Sequence, residues 1–272
     1  MGKESYIAAV VQLTSTSDEE ENLAAAFGRV REAASAGARF VATPENTNYL
    51  GPHEDKVRRA QSLDGPVCRA FADLAREIGV FLLLGSFNEK SSDSDRCYNT
   101  SVLFDPLGER LAVYRKIHLF DVDVSDEVRF TESATVVPGE ETVVAATPLG
   151  NLGLTICYDL RFPELYRRLL DKGAELLLVP SAFTATTGKD HWLPLLRARA
   201  IENQCYVLAP AQVGRHDDGG LRESHGHSLI LDPWGDILAL ATEGPGMALA
   251  EIDRSRIESV RRSMPVQSHR KM

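Results

Sequence analysis

The hydrophobic pattern of the chain alternates between apolar runs of strand length and stretches with helical spacing. Residues 6–13 form a continuous apolar run, and the stretch after Asp18 repeats apolar side chains every three or four positions. Similar apolar runs predict strands over residues 39–43, 80–85, 152–156, 175–179 and 206–211. Helical spacing predicts further helices over residues 66–78, 163–170 and 190–203. Strands that alternate with helices indicate a layered α/β fold in which helices cover a sheet.

Two segments carry the signature of an antiparallel hairpin. In the first, residues 99–104 and 110–114 flank an Asp-Pro-Leu-Gly turn, and in the second, residues 228–231 and 237–240 flank Asp-Pro-Trp-Gly. The two hairpins could occupy equivalent places in two halves of one sandwich. Because no linker-like or low-complexity stretch separates the halves, we expect residues 1–272 to form a single domain.

Composition points to small-molecule chemistry. Charged residues make up 25% of the chain and hydrophobic residues 43%, which is typical of a soluble globular protein. The net charge of −9 argues against a protein that neutralises nucleic-acid phosphates. Apolar runs fall short of the roughly 18 residues of a membrane span, so we expect no membrane partner.

Cysteine usage and the first residues indicate a cytoplasmic protein. The first residues lack the apolar segment of a secretory signal. The four cysteines are widely spaced and include no CxxC pair, which disfavours a zinc knuckle or a disulfide framework. A reducing compartment fits this pattern best.

Cys157 stands where a predicted strand meets a predicted helix. Side chains at such turns lie at the carboxyl edge of a sheet, where α/β proteins usually bind ligands. Amides at the end of a helix would also favour the thiolate over a thiol whose ordinary pKa is about 8.5. The position suits a nucleophile, but a buried structural thiol is equally compatible with it.

Two other reactive side chains end strands in the same way. Glu45 follows the strand over residues 39–43, and Lys116 follows the second strand of the first hairpin. Hydrolysis of an amide needs a nucleophile, a general base and a cation near the oxyanion, and Cys157, Glu45 and Lys116 would supply these in turn. Taken singly, a glutamate or a lysine is more often a surface residue.

The spacing of other residues bears on alternative functions for Cys157 and the histidines. A Cys-His protease needs a histidine partner, and the sequence leaves four candidates, His118, His191, His225 and His227. A cysteine phosphatase is disfavoured, because the position six residues after Cys157 holds proline. His225 and His227 could share one strand face, but no third metal ligand is evident. With no nucleotide-binding fingerprint either, we expect no cofactor and no metal.

Four stretches of the chain together resemble the nitrilase superfamily. They are residues 44–46, 114–120, 130–133 and 153–164. The resemblance implies that Glu45 is the general base, that Lys116 stabilises the oxyanion and that Cys157 is the nucleophile. It adds Glu132 as a second glutamate that orients the lysine. It also implies a four-layer α-β-β-α sandwich whose subunits pair as a homodimer or a higher homo-oligomer.

The downstream sequence resembles the Nit branch of that superfamily. Matching stretches include residues 180–183, 197–202, 232–235 and 264–266. The resemblance implies hydrolysis of deaminated glutathione to 2-oxoglutarate and cysteinylglycine. An ω-amidase that acts on α-ketoglutaramate and a carbamoylase are the alternatives, and a non-catalytic binding protein with the same fold is a remote one.

Three residues are candidates for binding the substrate. Arg161 lies four residues after the proposed nucleophile, and its guanidinium could hold a substrate carboxylate with two hydrogen bonds. An ion pair between Arg161 and a helix carboxylate is an equally good interpretation. Tyr49 and Phe183 are expected near the mouth of the pocket. His225 stands where the Nit branch is expected to have tyrosine, a difference that would bear on substrate preference.

Overall fold

The computed structural model describes residues 5–125, 128–218 and 223–271. Its strands are β1 (Tyr6–Gln12), β2 (Ala38–Ala42), β3 (Phe81–Lys90), β4 (Cys97–Phe104), β5 (Arg110–Arg115), β6 (Asp121–Ser125), β7 (Val128–Thr131), β8 (Val144–Thr147), β9 (Gly150–Leu154), β10 (Leu176–Leu178), β11 (Tyr206–Ala209), β12 (Val213–Arg215), β13 (Glu223–His225), β14 (Leu229–Leu231), β15 (Ile237–Leu240) and β16 (Gly246–Ile252). Its helices are α1 (Glu19–Ser35), α2 (His53–Arg58), α3 (Pro66–Ile78), α4 (Pro163–Asp171), α5 (Ala185–Asn203), α6 (Arg254–Ser263) and α7 (Val266–His269). Two 3-10 helices cover Glu132–Ala134 and Cys157–Arg161.

Two six-stranded sheets form the centre of the fold. The first has the order β16-β1-β2-β3-β4-β5 and the second the order β15-β14-β11-β10-β9-β8. Each sheet has three parallel strands at its centre, an antiparallel pair on one side of them and a single antiparallel edge strand on the other. The two predicted hairpins, β4-β5 and β14-β15, occupy matching places, so the expectation of equivalent halves is confirmed.

Helices cover the outer faces of both sheets. Ala26 and Val30 of α1 and Phe71 of α3 are buried with the side chains of the first sheet that point away from the second. Residues of α4 and α5, among them Tyr166 and Trp192, pack in a larger core that includes the second sheet and the facing side of the first. The layers are therefore helix, sheet, sheet and helix, which confirms the predicted four-layer α-β-β-α sandwich.

Local sequence signals set the ends of the helices. The Asp18 side chain caps α1 by accepting a hydrogen bond from the Glu21 backbone N–H at 3.0 Å. Helix α3 begins at Pro66 and ends before Gly79, whose φ of 67° lies in the left-handed region that glycine tolerates. None of the helices in the described ranges has the length and apolar character that a bilayer crossing requires.

Candidate active site

The four residues assigned to the reaction centre lie at strand ends and line one cavity. Glu45 follows β2, Lys116 directly follows β5, and Cys157 follows β9. Glu132 begins the 3-10 helix after β7. All four side chains are buried and line the same cavity. The structure thus brings together four residues that are up to 112 positions apart in the sequence.

The backbone at Cys157 makes a tight turn that presents the thiol to the cavity. Its backbone φ of 47° is in the left-handed region, which residues other than Gly, Asn and Asp seldom adopt. The turn is held by two hydrogen bonds: Cys157 N–H donates to the Pro180 carbonyl at 2.9 Å, and Ile156 N–H donates to Asp159 Oδ2 at 2.8 Å. Such strain persists only where the surroundings determine the conformation, and it is common at functional sites.

Asp159 connects the cysteine turn to the segment that carries Lys116. Its fully buried carboxylate accepts hydrogen bonds from the Tyr114 hydroxyl at 2.7 Å and from the His118 backbone N–H at 3.0 Å. The His118 ring nitrogen Nδ1 is also 2.7 Å from Asp159 Oδ1. Because Tyr114 and His118 flank Lys116 in the sequence, these bonds fix the lysine segment relative to Cys157.

Lys116 lies between the two glutamates. Its Nζ is 3.0 Å from Glu45 Oε1 and 2.8 Å from Glu132 Oε2. Burial alone would lower the pKa of Lys116, but the charges of Glu132 and Glu45 outweigh burial and raise it above its ordinary value. Burial opposes ionisation of Glu132, but Lys116 and, to a smaller extent, Lys56 lower the pKa of that carboxyl to about 2. The lysine is therefore a cation and Glu132 an anion at neutral pH.

Asn99 is a member of this cluster that the sequence did not reveal. Its side-chain Nδ2 donates to Glu45 Oε1 at 2.9 Å and lies 3.4 Å from Glu132 Oε1. Its carbonyl accepts the backbone N–H of Lys116 at 2.9 Å. In the sequence, Asn99 stands only as the first residue of a predicted strand, and nothing local indicates that this strand borders the site.

The Cys157 thiol is held in its neutral form, which corrects the expectation of a stabilised thiolate. Burial raises the pKa of the thiol well above its ordinary value, and the charge of Glu45 raises it further, while Lys116 acts in the opposite direction. Glu45 is close enough to the thiol for hydrogen bonding between them to contribute to the raised pKa. The other carboxylate oxygen of Glu45 accepts the Ala182 backbone N–H at 2.7 Å. A proton acceptor is therefore in contact with the thiol that must lose its proton.

Aromatic side chains form part of the cavity wall. Four aromatic side chains line it: Phe120, Phe130, Tyr158 and Phe183. Phe120 packs against both Phe130 and Tyr158, with ring centroids 5.4 Å and 5.0 Å apart. The empty volume, which includes the open mouth, is about 540 Å³. The described lining contains no histidine, which disfavours a Cys-His protease.

Arg161 and Phe183 line this cavity. The Arg161 guanidinium carbon is 5.1 Å from the centroid of the Phe183 ring and 5.8 Å from that of Tyr158. Its Nη1 is 3.4 Å from the His191 ring. Within residues 5–125, 128–218 and 223–271, Arg161 forms no ion pair with an acidic side chain, so the structural salt bridge considered as an alternative is not observed.

The predicted position of Tyr49 at the pocket mouth is wrong. Tyr49 is buried, and its hydroxyl donates to the Pro52 carbonyl at 3.0 Å. The Arg59 guanidinium carbon lies 5.0 Å from the centroid of its ring. Tyr49 lies four positions after Glu45, and over that distance the chain has turned away from the cavity to pack against the loop before α2.

The two histidines at the end of β13 form a stacked pair. The rings of His225 and His227 have centroids 4.2 Å apart. Burial and, to a smaller extent, the charge of His227 lower the pKa of His225 to about 4. In the described part of the chain, no group of three His, Cys, Asp or Glu side chains is arranged to hold a metal ion. His225 packs against Gly188 of α5, where an added Cβ would lie 2.4 Å from the His225 Cβ.

Comparison with known proteins identifies the family of the chain. The family model of the carbon-nitrogen hydrolases matches residues 7–262. The chain is 47% identical over 268 residues to the deaminated glutathione amidase of Synechocystis, covering 97% of this chain and 98% of that protein. It is 43% identical over 271 residues to the human deaminated glutathione amidase, covering 97% of this chain and 82% of that protein.

Solved structures show the same architecture. The Caenorhabditis elegans NitFhit protein superposes with a TM-score of 0.93 at 41% identity, and the match covers all of this chain but 66% of that protein. Saccharomyces cerevisiae Nit3, a member of branch 10 of the nitrilase superfamily, superposes with a TM-score of 0.89 at 32% identity over 98% of its length. The chain therefore belongs to the carbon-nitrogen hydrolase family within the nitrilase superfamily, and it is a hydrolase that acts on amides.

Proposed function

We propose that the protein hydrolyses the amide bond of deaminated glutathione and releases 2-oxoglutarate and cysteinylglycine. The observation that carries this proposal is a single cavity that holds Cys157, Glu45, Lys116 and Glu132 beside an arginine without an acidic partner among the described residues. The names of the similar proteins from Synechocystis and human support the choice of substrate.

In the first half of the proposed reaction the amide is converted to a thioester. Glu45 takes the proton of the Cys157 thiol as Sγ bonds to the carbonyl carbon. Lys116 stabilises the negative charge that develops on the carbonyl oxygen, because its ammonium is fixed beside the site before the reaction begins. The carbon–nitrogen bond then breaks, and the leaving nitrogen takes the proton from Glu45 and departs as the free amine.

In the second half, water takes the place of the amine. Glu45 accepts a proton from water while the water oxygen bonds to the thioester carbon. The carbon–sulfur bond breaks, the Cys157 sulfur recovers a proton, and the acid is released. Glu132 does not exchange protons in this scheme, because its low pKa keeps it ionised. It holds the Lys116 ammonium through the 2.8 Å contact.

Arg161 is proposed to bind the carboxylate beside the 2-oxo group. Its guanidinium is placed over Phe183 and Tyr158, which orient it without neutralising its charge. A substrate carboxylate would therefore be the anion that pairs with it. Phe183 and the other aromatic side chains would pack against the methylene groups between the two ends of the acyl chain.

Kinetics on a panel of amides tests the substrate. We expect kcat/KM for deaminated glutathione to exceed that for α-ketoglutaramate, and both to exceed that for carbamoyl compounds. A preference for α-ketoglutaramate would make the protein an ω-amidase with the same reaction centre. Strong turnover of carbamoyl compounds beside none of either 2-oxo amide would make it a carbamoylase. No turnover of any amide would indicate a binding protein that keeps the fold.

We also propose that residues 1–272 form a single domain that acts as a homodimer or a higher homo-oligomer in the cytoplasm. The pairing of β16 with β1 supports the single domain, because it joins the last strand to the first. The cysteines Cys68, Cys97, Cys157 and Cys205 are free thiols, which supports a reducing compartment. Light scattering of the purified chain tests the oligomeric state, and a monomer at micromolar concentration would contradict it.

A further inference from the structure

Asn99 faces both glutamates of the reaction centre from a buried position. The residue is only 2% exposed, and its Nδ2 lies 2.9 Å from Glu45 Oε1 and 3.4 Å from Glu132 Oε1. Because carboxylate oxygens only accept hydrogen bonds, these two neighbours determine which end of the amide faces them. The nitrogen is directed at the glutamates, and the carbonyl oxygen is directed away from them.

This orientation leaves the amide oxygen of Asn99 unpaired. Its Oδ1 is buried and has no hydrogen-bond partner among the described residues. An unpaired buried oxygen destabilises a fold, and a strand position buried this deeply more often holds an apolar side chain. The side chain thus leaves one polar atom unpaired while it places N–H groups beside the reaction centre.

The backbone of Asn99 is tied to Lys116, which fixes the amide relative to the ammonium. The Lys116 backbone N–H donates to the Asn99 carbonyl at 2.9 Å. The two side chains then converge on one oxygen, Glu45 Oε1, which is 3.0 Å from Lys116 Nζ and 2.9 Å from Asn99 Nδ2. A carboxylate oxygen has about two acceptor sites, so these two donors fill Oε1.

The second oxygen of Glu45 has an acceptor site to spare. Among the described residues, Oε2 accepts one backbone hydrogen bond, from the Ala182 N–H at 2.7 Å. The same N–H acts on the Cys157 thiol: burial is the main cause of the raised pKa of that thiol, and the Ala182 N–H opposes it as a hydrogen-bond donor. Because one N–H reaches both groups, Oε2 lies on the side of Glu45 that faces the sulfur.

We propose that Asn99 is a positioning residue that holds Glu45 Oε1, so that Oε2 is the oxygen that exchanges protons with the Cys157 thiol. This inference rests on the proposed role of Glu45 as the general base. The N–H of Asn99 favours the ionised carboxylate, which must be present to take the proton of the thiol. It also resists a rotation of the carboxylate that would bring the filled oxygen to the sulfur. The proton passed to the leaving nitrogen, and the one later taken from water, use the same acceptor site on Oε2.

The pH dependence of amide hydrolysis tests this role. Asn99→Leu keeps a similar side-chain size and removes both N–H groups. Loss of a hydrogen bond to a charged group should lower kcat by about tenfold or more with little change in KM. The fall of kcat/KM at low pH should also begin at a higher pH than in the wild type, because the ionised base is less favoured.

The position of this low-pH fall separates a positioning role from a structural one. A variant that is only partly folded loses activity by the same factor at every pH, which leaves the position unchanged. The Lys116 ammonium, the Glu132 carboxylate and the Cys157 thiol are the charged and titratable groups beside Glu45, and all three remain in Asn99→Leu. A shift therefore reports the lost N–H donor.

Asn88→Leu is the matched control. Asn88 is also 2% exposed and lies directly opposite Asn99 in the pairing of β3 with β4, so the two side chains share one face of the sheet. Its Nδ2 has no hydrogen-bond partner among the described residues, and its Oδ1 is 3.9 Å from the Cys97 sulfur. The same replacement there should leave the low-pH fall at its wild-type position. A shift equal to that in Asn99→Leu would overturn the proposal.

Asn99→Asp is the second variant if Asn99→Leu folds poorly. It keeps the size of the side chain but replaces the NH₂ group by an oxygen that cannot donate when ionised, so the low-pH fall should move in the same direction. An unchanged position in both variants would show that Asn99 does not act on the base. Glu45→Gln distinguishes this failure from that of the proposed mechanism, because near-wild-type kcat in that variant would remove Glu45 itself. All variants are assayed on the amide that the wild type hydrolyses best, so the result does not depend on the proposed substrate.

Discussion

Replacement of Lys116 by methionine is the perturbation whose consequences the structure defines most sharply. Methionine approximates the length of the lysine side chain but removes its charge. Two buried carboxylates, at 3.0 Å and 2.8 Å from the ammonium in the wild type, then face each other without it. Removing one partner of a buried ion pair costs about 3–5 kcal/mol of folding free energy. We expect a loss of that size at neutral pH, together with a fall in kcat of about 10²-fold or more.

The pH dependence of this loss has a definite sign. In the wild type the pKa of Glu132 is lowered to about 2, so its contribution to stability is complete above its ordinary value of 4.5 and is lost as the pH falls toward 2. In Lys116→Met the largest charge that lowers this pKa is gone, and burial then raises it. A buried carboxyl whose pKa is raised in the folded state destabilises the fold as the pH rises toward that pKa. The free energy of unfolding of the variant should therefore fall between about pH 5 and pH 8. In the wild type, Glu132 does not make stability depend on pH over this range.

Urea unfolding at pH 5, 6, 7 and 8 measures both effects. The double variant Lys116→Met/Glu132→Gln is the control, because it removes one of the two facing charges and should recover part of the stability at pH 8. A Lys116→Met variant as stable as the wild type, or one whose stability rises from pH 5 to pH 8, would refute the picture of a buried ion cluster.

Three further predictions follow from single contacts. Cys157→Ala should abolish amide hydrolysis and leave the far-ultraviolet circular dichroism spectrum unchanged, and residual turnover would remove the residue from the mechanism. Arg161→Lys should raise KM for both 2-oxo amides but not for an amide without the adjacent carboxylate, and equal changes in KM would contradict the proposed contact. Gly188→Ala, whose new Cβ would lie 2.4 Å from the His225 Cβ, should lower the unfolding free energy by about 1–3 kcal/mol. Gly28→Ala, which meets no atom within 4 Å, should not destabilise, and the reverse order in urea unfolding would contradict the steric argument.

The sequence predicted that Glu45, Lys116 and Cys157 could lie together because strand ends are readable from the hydrophobic pattern, whereas Glu132 was implied only by the family resemblance. Glu45, Lys116 and Cys157 each follow an apolar run, and such positions converge at one edge of the sheets. The protonation state of the thiol was predicted wrongly, because it depends on burial and on the distance to Glu45, which spacing does not give. Tyr49 was misplaced for a related reason. The direction of a loop after its first residues depends on tertiary packing.

The fold shows the same division between local and distant causes. The helix predicted over residues 66–78 matches α3, whose proline and glycine signals are local. The edge strand β16 was not predicted. Its buried positions alternate from Ala248 to Ile252, but the intervening Leu249 is also apolar, so polar and apolar side chains do not alternate in the sequence. Its partner β1 lies at the other end of the chain. Helix α5 begins at Ala185, five residues before the predicted start, because its first turn packs against β13.

Rapid-quench mass spectrometry with deaminated glutathione tests the central claim most directly. During the first turnover, the peptide that contains Cys157 should gain the mass of the 2-oxoglutaryl group, and cysteinylglycine should be released before 2-oxoglutarate. In Lys116→Met the same adduct should form far more slowly. An acyl group on any other residue, or simultaneous release of both products from saturated enzyme with Cys157 unmodified, would contradict a thioester at Cys157.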